Sequence, residues 1–569
     1  MQNDNYDAIV IGGGISGLMS ALVLSKHGNR VLVLEKEEVV GGNCRSYQVD
    51  GFTVDTGPHA ITALRGGPIP MLMDQYYDVT PQFQPYGNYY IRTPDASLVR
   101  CPTNVRDFLM FDYLPVKDRM KLAKTIGSVM LKVSRGEDYS DRSVHECLPS
   151  SLSPETMAFA NTFSMFMSGR GMKETSVQRM AAGAGVVKEK NKLTPEEYKA
   201  IVKGKADFNN FANSDNLDLE NLEEDEQKKG KINENGKINE NGNKVCNENK
   251  TETDIKNDKG KKKTKSKTSK QDKQEKQNKQ NNKQKSAENN DSVMAAFKKT
   301  FTHKGGFSTQ GYPIGGVQAV TDCTLRSMPA LTKIQTGTNV KTILTEHDSE
   351  TGKDTAVGVE TTDGEYYADL LVHTGFASAL PQMLELPVSY VNQLKGIDHT
   401  VSLSLWLGLD EMRPEFDYVG SEVQFEEMPY WGGPISNYDK NLAPEGCQSV
   451  GFAFIPQQKD VKAKVDDAYN QIFTLLPKVE KHAVMRHEQI TVPEKAAITV
   501  RGEFADIRSP VENLYIAGTD TDKRSMGVTR AAYSVVELIG KIHADGKLKR
   551  QNDFKGYNFK RDYLPPIPK

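Results

Sequence analysis

The sequence has few cysteines, and they lie far apart. Its six cysteines are scattered over 569 residues, and no two of them form a Cys-x-x-Cys pair. Zinc sites and small disulfide-rich domains need closely spaced cysteines, so the pattern argues against both. We expect reduced thiols, as in a cytoplasmic protein, and no metal site.

The chain also lacks a strong net charge and an uninterrupted apolar segment. Lysine and arginine total 73 against 75 for aspartate and glutamate, so a nucleic-acid partner is not expected. The most apolar stretch, residues 8–25, is interrupted by glycines, and a strand, turn and helix explain it better than a transmembrane helix. The residues before it include an acidic side chain, whereas a signal peptide has basic residues there, so we expect no secretion signal.

Composition changes abruptly in the middle of the chain. Residues 206–294 contain an acidic run, a repeat of Gly-Lys-Ile-Asn-Glu-Asn and a tract of lysine, glutamine and asparagine. Such a segment has too few apolar side chains to offset the entropy of ordering its backbone. We predict a low-complexity disordered insertion, flanked by two segments that pack as one body. Its lysines suit an anionic partner, but a solvated loop is favoured because the tract has no aromatic residues.

A glycine-rich turn follows the first apolar run. Residues 8–11 are all apolar, as in a strand buried on both faces, and Gly12, Gly14 and Gly17 then form a Gly-x-Gly-x-x-Gly pattern. Gly12 permits the tight turn, Gly14 lets the backbone approach a diphosphate, and Gly17 lets helix and strand pack closely. Ile15 and Ser16 fall in the first turn of the predicted helix, whose free N–H groups attract phosphate.

The pattern continues into a second strand. Gly28 ends the predicted helix, and residues 31–34 are apolar, as in a second buried strand. Glu35 ends this strand, at the position where dinucleotide-binding folds have a carboxylate that binds ribose hydroxyls. We assign Glu35 and its neighbour Lys36 to a dinucleotide site. The alternative is an ordinary tight turn between strand and helix.

Two further segments carry a family resemblance. Residues 41–47 read Gly-Gly-Asn-Cys-Arg-Ser-Tyr, and residues 50–59 end in Asp-Thr-Gly-Pro-His. Together they resemble the second signature of the FAD-dependent amine oxidase and phytoene desaturase superfamily. The residues of this motif are most similar to those in the branch of phytoene desaturases, carotenoid isomerases and retinol saturases. Many relatives have Arg at the position of Asn43. The residues that the resemblance assigns to FAD are Gly41, Gly42, Asn43, Arg45, Gly57 and Pro58.

The resemblance resumes after the insertion. Residues 311–316 precede a predicted helix, residues 338–343 precede a strand pair, and residues 368–372 resemble the strand that returns to the flavin domain. Residues 513–520 and 526–532 resemble the closing flavin motif. By this resemblance Val340 lies beside the adenine, and Gly518 and Asp520 bind the ribityl or diphosphate part. Met526, Gly527 and Val528 then meet the pyrimidine edge of the flavin.

The resemblance implies an α/β fold with two interleaved domains. A Rossmann-like FAD-binding domain is predicted from residues 1–70, 295–350 and 500–545. An α+β substrate-binding domain is predicted from residues 71–205 and 375–499.

The resemblance also implies the chemistry. Members transfer hydride between flavin N5 and a carbon of a long apolar isoprenoid or polyene, by desaturation, saturation or isomerisation. One dinucleotide fingerprint is legible, so electrons are expected to pass to a diffusible quinone, oxygen or NAD(P)H. His59 is the candidate catalytic group, and the alternative is a histidine that holds its turn.

Other interpretations stay open. The pattern of residues 114–133 suits a helix with apolar and basic faces, which either rests on an anionic membrane or packs into the core. A flavin amine oxidase acting on a small amine is the rival enzyme. A prenyl-binding chaperone resembling GDP dissociation inhibitors is the rival without catalysis.

Overall fold

The structure, a computed structural model of the chain, describes residues 6–56, 60–103, 105–178, 180, 309–425, 428–456 and 461–549. All of them belong to one compact unit. The predicted insertion at 206–294 and the predicted site residues Gly57, Pro58 and His59 lie outside the described residues. The described fold is thus built from the segments on either side of the insertion.

The described residues form a parallel sheet drawn from both ends of the chain. Its spatial order is β9, β2, β1, β12 and β18, and each neighbouring pair is parallel. The strands are β1 (Tyr6–Ile11), β2 (Val31–Leu34), β9 (Thr332–Gln335), β12 (Glu365–His373) and β18 (Leu514–Ile516).

Strand burial explains why these runs are continuously apolar. Ala8, Ile9 and Val10 are completely buried, as are Leu32 and its neighbours in β2. A parallel sheet covered on both faces has no polar face, so period-2 alternation is absent. Two helices, α1 (Ile15–Lys26) and α11 (Gly527–Ala544), pack against each other beside this sheet, so residues from the two ends of the chain share one core.

An antiparallel hairpin extends the sheet. Strands β10 (Val340–Asp348) and β11 (Lys353–Thr361) pair with each other, and β11 pairs with the first half of β12. The turn between β11 and β12 is closed by the N–H of Thr361, which donates to Gly364 O at 2.9 Å. The predicted strand pair and the predicted return strand at 368–372 are confirmed.

A second sheet of seven described strands has the order β17, β13, β16, β15, β14, β6 and β7. Neighbours are antiparallel except β14 and β6, which are parallel. The strands are β6 (Asn88–Arg92), β7 (Leu98–Arg100), β13 (Thr400–Leu409), β14 (Gly420–Gln424), β15 (Tyr430–Pro434), β16 (Gln448–Phe454) and β17 (Ala483–Glu494).

The remaining elements connect and cover the two sheets. A small hairpin pairs β3 (Ser46–Val49) with β4 (Phe52–Asp55), and a separate two-stranded antiparallel sheet pairs β5 (Phe83–Pro85) with β8 (Gly311–Pro313). The other described α-helices are α2 (Pro68–Tyr76), α3 (Val105–Leu109), α4 (Val116–Ser134), α5 (Val144–Cys147), α6 (Pro154–Ser168), α7 (Gln318–Arg326), α8 (Val388–Lys395), α9 (Val465–Leu475) and α10 (Pro477–Glu480).

Helix α4 has the bounds that the sequence predicts to within two residues, and most of its apolar stripe is core. Leu122, Ala123 and Met130 are buried. Met120 instead faces solvent with about half of its surface exposed, at 54%. Within the described segments, none of the helices has the length and apolarity needed to cross a bilayer.

The fold class predicted from the sequence is confirmed. The glycine turn, the parallel strands and the closing helix α11 form a Rossmann-like unit, and a mixed α and β region lies beside it. The five cysteines in the described ranges form no disulfide with one another.

Candidate cofactor-binding site

The glycine turn between β1 and α1 has the geometry of an anion-binding loop. Gly12 has φ +106, and a Cβ at Gly17 would lie 2.0 Å from the carbonyl oxygen of Gly12, so neither position accepts a side chain without strain. A Cβ at Gly14 would meet no atom within 4 Å. Gly14 precedes α1 without a side-chain cap, and Ile15 and Ser16 form the first helical residues. The free N–H groups of this turn therefore border open space.

Glu35 is fixed against this turn by two backbone hydrogen bonds. Its Oε2 accepts the N–H of Gly13 at 2.6 Å, and its Oε1 accepts the N–H of Glu37 at 2.9 Å. Each carboxylate oxygen keeps a lone pair for a further donor. Lys36, by contrast, points into solvent and lies 3.5 Å from the carboxylate of Glu37.

The second glycine motif closes over the turn. The N–H of Gly41 donates to Gly13 O at 2.8 Å, and Gly41 forms a β-bridge with Gly14. A Cβ at Gly42 would lie 3.2 Å from the Cα of Gly14. The two signatures, separated by about 25 residues in the sequence, are therefore in direct backbone contact.

The side chains of Asn43 and Arg45 contact different parts of the structure. The side-chain amide of Asn43 donates to Val492 O at 2.7 Å, so it is tied to the last residues of β17 in the second sheet. The stem of Arg45 covers Gly41, since a Cβ there would lie 2.7 Å from Arg45 Cγ. Of the two residues, Arg45 is thus the one whose side-chain stem lies against the bridge between Gly14 and Gly41.

Asp520 is completely buried behind β18. Its Oδ2 accepts the N–H of Ala377 at 2.8 Å, whereas its Oδ1 has no hydrogen-bond partner among the described residues. Gly518, two residues earlier, has φ +150, a conformation that favours glycine. An unsatisfied buried carboxylate oxygen is costly and indicates a ligand or water at that point.

Val340 is buried at the start of β10. It belongs to the same apolar cluster as Ile11 and Leu34, the last residues of β1 and β2. The structure therefore brings Val340 to the strand ends that lead into the glycine turn and Glu35.

At the start of α11, Met526 is the cap residue and Gly527 and Val528 form the first turn. The N–H of Gly527 donates to Glu494 Oε1, and Glu494 Oε2 lies 2.9 Å from Arg530 Nη1. Burial raises the pKa of Glu494, against the opposing effects of Arg530 and the Gly527 N–H. The amide predicted to meet the flavin edge thus has a carboxylate as its partner.

Lys495, the next residue, reaches the carboxyl end of β12. Its Nζ donates to Thr374 O at 2.5 Å and to Gly375 O at 2.8 Å. Burial lowers the pKa of Lys495, while the charges of Asp520 and Glu35 act in the opposite direction. Sequence reasoning missed both Glu494 and Lys495, because neither lies in a recognisable motif.

Comparison with known proteins agrees with this geometry. A model of the NAD(P)-binding Rossmann-like domain matches residues 10–76. An uncharacterized protein in the nifH2 3' region of Methanothermococcus thermolithotrophicus is 50% identical over 101 residues, which are 18% of this chain and 96% of that protein.

Two named enzymes match this chain over a much smaller share of their own length than the Methanothermococcus protein does. All-trans-retinol 13,14-reductase of Rattus norvegicus is 37% identical over 109 residues, 19% of this chain and 17% of the reductase. Prolycopene isomerase 2, chloroplastic, of an Oncidium hybrid cultivar is 56% identical over 54 residues, 10% of this chain and 9% of the isomerase. The chain thus matches less than a fifth of the length of either enzyme.

Solved structures share the fold over nearly the whole chain. A triple mutant of putrescine oxidase superposes with a TM-score of 0.57 at 13% identity, covering 95% of this chain and 99% of that one. An oxidoreductase from Methanosarcina mazei gives a TM-score of 0.55 at 17% identity, covering 94% and 99%. Identities this low establish the common fold alone.

Proposed function

Because this chain belongs to the FAD-dependent amine oxidase and phytoene desaturase superfamily, and to the family of the Methanothermococcus protein, we propose that it transfers hydride between FAD and a long apolar isoprenoid or polyene. One observation carries the proposal: β1 with its glycine turn and β18 with Asp520 flank the same strand, β12. The loops after parallel strands lie at one edge of the sheet, so the glycine turn and Asp520 share that edge.

The residues at this edge fit FAD. The open space at Gly14 admits a diphosphate, and the unpartnered Oδ1 of Asp520 can accept a hydroxyl. We infer that the turn from Gly12 to Gly17 binds the diphosphate, that Glu35 binds the ribose hydroxyls and that Asp520 binds the ribityl chain. FAD, when bound, supplies a hydride acceptor or donor at flavin N5.

The chain itself then orients the cofactor and excludes water. Gly41 and Gly42 close over the turn from one side, and the second sheet continues into Glu494 and Lys495 on the other. We propose that the FAD-binding domain comprises residues 1–70, 295–350 and 500–545 and also 351–374, because β12 lies between β1 and β18 in the parallel sheet. The substrate-binding domain is then 71–205 and 375–499.

An apolar substrate is supported by the relatives and by the surface of the second domain. The two named relatives are a retinol reductase and a prolycopene isomerase, although they match short segments. On α6, Phe163 stacks on Phe159 at 6.3 Å between ring centroids and remains 44% exposed. Exposed aromatic side chains beside a buried apolar cluster suit a long hydrocarbon.

Flavin spectroscopy tests the proposal. Purified protein should be yellow, and under anaerobic conditions its flavin absorption should bleach with a partly saturated isoprenoid such as phytoene, which loses hydride on desaturation, but not with putrescine. Dithionite-reduced protein, mixed with retinol or prolycopene, tests the saturating direction, where the polyene accepts hydride and the flavin is reoxidised. Bleaching by putrescine alone would favour an amine oxidase.

The alternative without catalysis is tested in the same preparation. A colourless protein that cannot be reconstituted with FAD would favour a prenyl-binding chaperone.

The electron partner is identified by a separate measurement. Quinone, oxygen or NAD(P)H is added to the reduced or oxidised protein, and the partner is the compound that reoxidises or reduces the flavin fastest.

A further inference from the structure

A partly buried cation and a buried anion face each other at this site without pairing. Lys495 Nζ uses two of its three N–H donors on the carbonyls of Thr374 and Gly375. Asp520 uses Oδ2 on the N–H of Ala377 and leaves Oδ1 without a partner. Each group therefore has hydrogen-bonding capacity that the described residues do not use.

The two unused groups point to the same small space. A Cβ placed on Gly518 would lie 2.8 Å from Asp520 Oδ1 and 3.2 Å from Lys495 Nζ, which bounds the separation of these two atoms at 6.0 Å. Yet no ion pair joins them in the part of the chain that the structure describes. A partly buried cation and a buried anion that stay apart at such a distance indicate a third group between them.

The position of Lys495 indicates which ligand supplies the third group between Lys495 and Asp520. The backbone N–H of Lys495 donates to Thr519 Oγ1 at 2.9 Å, which ties it to the segment between Gly518 and Asp520. One of its carbonyl acceptors belongs to Thr374, whose hydroxyl donates to Gly12 O at 2.9 Å in the glycine turn. Lys495 thus bridges the two halves of the site.

The charges around Lys495 agree with this position. Glu35, at the ribose end, and Asp520, at the opposite end, both act on the ammonium group. Between a ribose and a ribityl chain, a dinucleotide cofactor carries its diphosphate. Asn43 brings no charge to that diphosphate, since its amide is committed to Val492 O.

We propose that Lys495 is the cation that binds the diphosphate of the dinucleotide cofactor, with its third N–H directed into the space at Gly518. Asp520 Oδ1 accepts a hydroxyl of the same ligand. The inference rests on the proposed function for the identity of the cofactor as FAD. A structural role, in which Lys495 merely satisfies the carbonyls of Thr374 and Gly375, is the competing explanation.

Three ligands distinguish the two explanations. FAD and ADP contain a diphosphate, and riboflavin does not, so apo-protein is titrated with each by fluorescence or calorimetry. Lys495→Met should weaken FAD and ADP by about 10- to 100-fold, the size expected for a charged hydrogen bond. Riboflavin binding should change by less than about threefold. Lys495→Arg should retain FAD affinity, and the exposed Lys395→Met serves as the matched control.

Several results would overturn the inference. Unchanged FAD affinity in Lys495→Met would do so, as would an equal loss for riboflavin, which indicates general damage to the site. If Lys495→Met does not fold, Lys495→Gln and Lys495→Arg decide, since equal FAD affinity in these two also refutes a charge-based role. A wild-type protein that binds ADP through Lys495 but never FAD would reject the proposed function and leave the diphosphate assignment standing.

Discussion

Oε2 of Glu494 lies 2.9 Å from Nη1 of Arg530, at the first turn of the helix that closes the fold. The other carboxylate oxygen accepts the N–H of Gly527, so one acidic side chain satisfies the start of α11. A carboxylate at a helix N-terminus is favourable, yet the burial of this one raises its pKa. Ionised Glu494 is therefore retained at a cost in stability.

We predict that Glu494→Gln gains stability relative to the wild type as pH rises. A folded-state pKa raised above 4.5 means that the folded protein holds its proton more tightly than the unfolded chain. That stabilisation of the wild type is complete below the unfolded pKa and is lost as pH rises through the folded pKa. Thermal unfolding from pH 4.5 to about pH 8 should therefore show the difference between the variant and the wild type shifting in the variant's favour. The exposed Glu445→Gln is the control, and a difference that shifts towards the wild type with rising pH would contradict the argument.

Gly14 and Gly17 should respond oppositely to substitution. A side chain at Gly14 meets no atom within 4 Å, so Gly14→Asp should fold normally and lose FAD, because its charge repels the diphosphate. A Cβ at Gly17 would lie 2.0 Å from Gly12 O, so Gly17→Ala should destabilise the fold by about 1 to 3 kcal/mol. Flavin content and thermal unfolding measure the two effects, and normal flavin content in Gly14→Asp would refute the site.

The ion pair between Arg92 and Glu422 should be sensitive to the loss of one partner. Both side chains are buried, and Glu422 also accepts hydroxyls of Tyr418 and Tyr430 at 2.8 and 2.7 Å. Glu422→Gln leaves the guanidinium buried without a counter-charge, so chemical denaturation should show a loss of about 3 to 5 kcal/mol. The exposed pair of Lys353 and Glu512 is the control, where Glu512→Gln should leave the denaturation midpoint nearly unchanged because solvent screens the pair. Similar losses in the two variants would contradict the prediction.

The surface around the start of α4 should bind anionic vesicles. Met110, Val116 and Met120 are more than half exposed, and Lys117 and Lys124 lie on the same side of the helix as the latter two. Replacing Val116 and Met120 by serine should weaken binding to phosphatidylserine vesicles by about 10-fold in sedimentation. Val388→Ser, an exposed valine on α8, is the control. Absence of wild-type binding would reject membrane contact.

Removal of the low-complexity insertion should leave the site intact. Deletion of residues 214–291 shortens the predicted insertion, and the entropy of loop closure changes only logarithmically with length. The shortened chain should retain the flavin content and melting temperature of the full chain. Loss of folding on deletion would show that these residues contribute to the fold.

The predictions that succeeded depend on local sequence. The strand before Gly12, the helix after it and the position of Glu35 follow from glycine geometry and continuous apolar runs, which act over about 30 residues. The family resemblance supplied the remote parts, such as Val340 and Asp520, and the superfamily assignment is confirmed. The FAD role of each of these residues remains a prediction.

Glu494 and Lys495 could not be found in this way. Their partners at Gly527 and Thr374 lie 33 and 121 residues away, and their roles depend on the path by which β17 returns to the parallel sheet. Periodicity in a strand indicates which face is buried, but not what its last residues meet in another domain. The same reason explains why the order of the second sheet was not predicted.

The placement of β18 beside β12 affects how the protein is made. The ribosome releases β12 some 141 residues before β18, from His373 to Leu514, which takes roughly 7 to 28 seconds of translation at usual rates. During that interval the nascent chain carries an unpaired parallel strand edge, a known nucleus of aggregation. Synthesis in cells should therefore depend on chaperones until β18 has emerged.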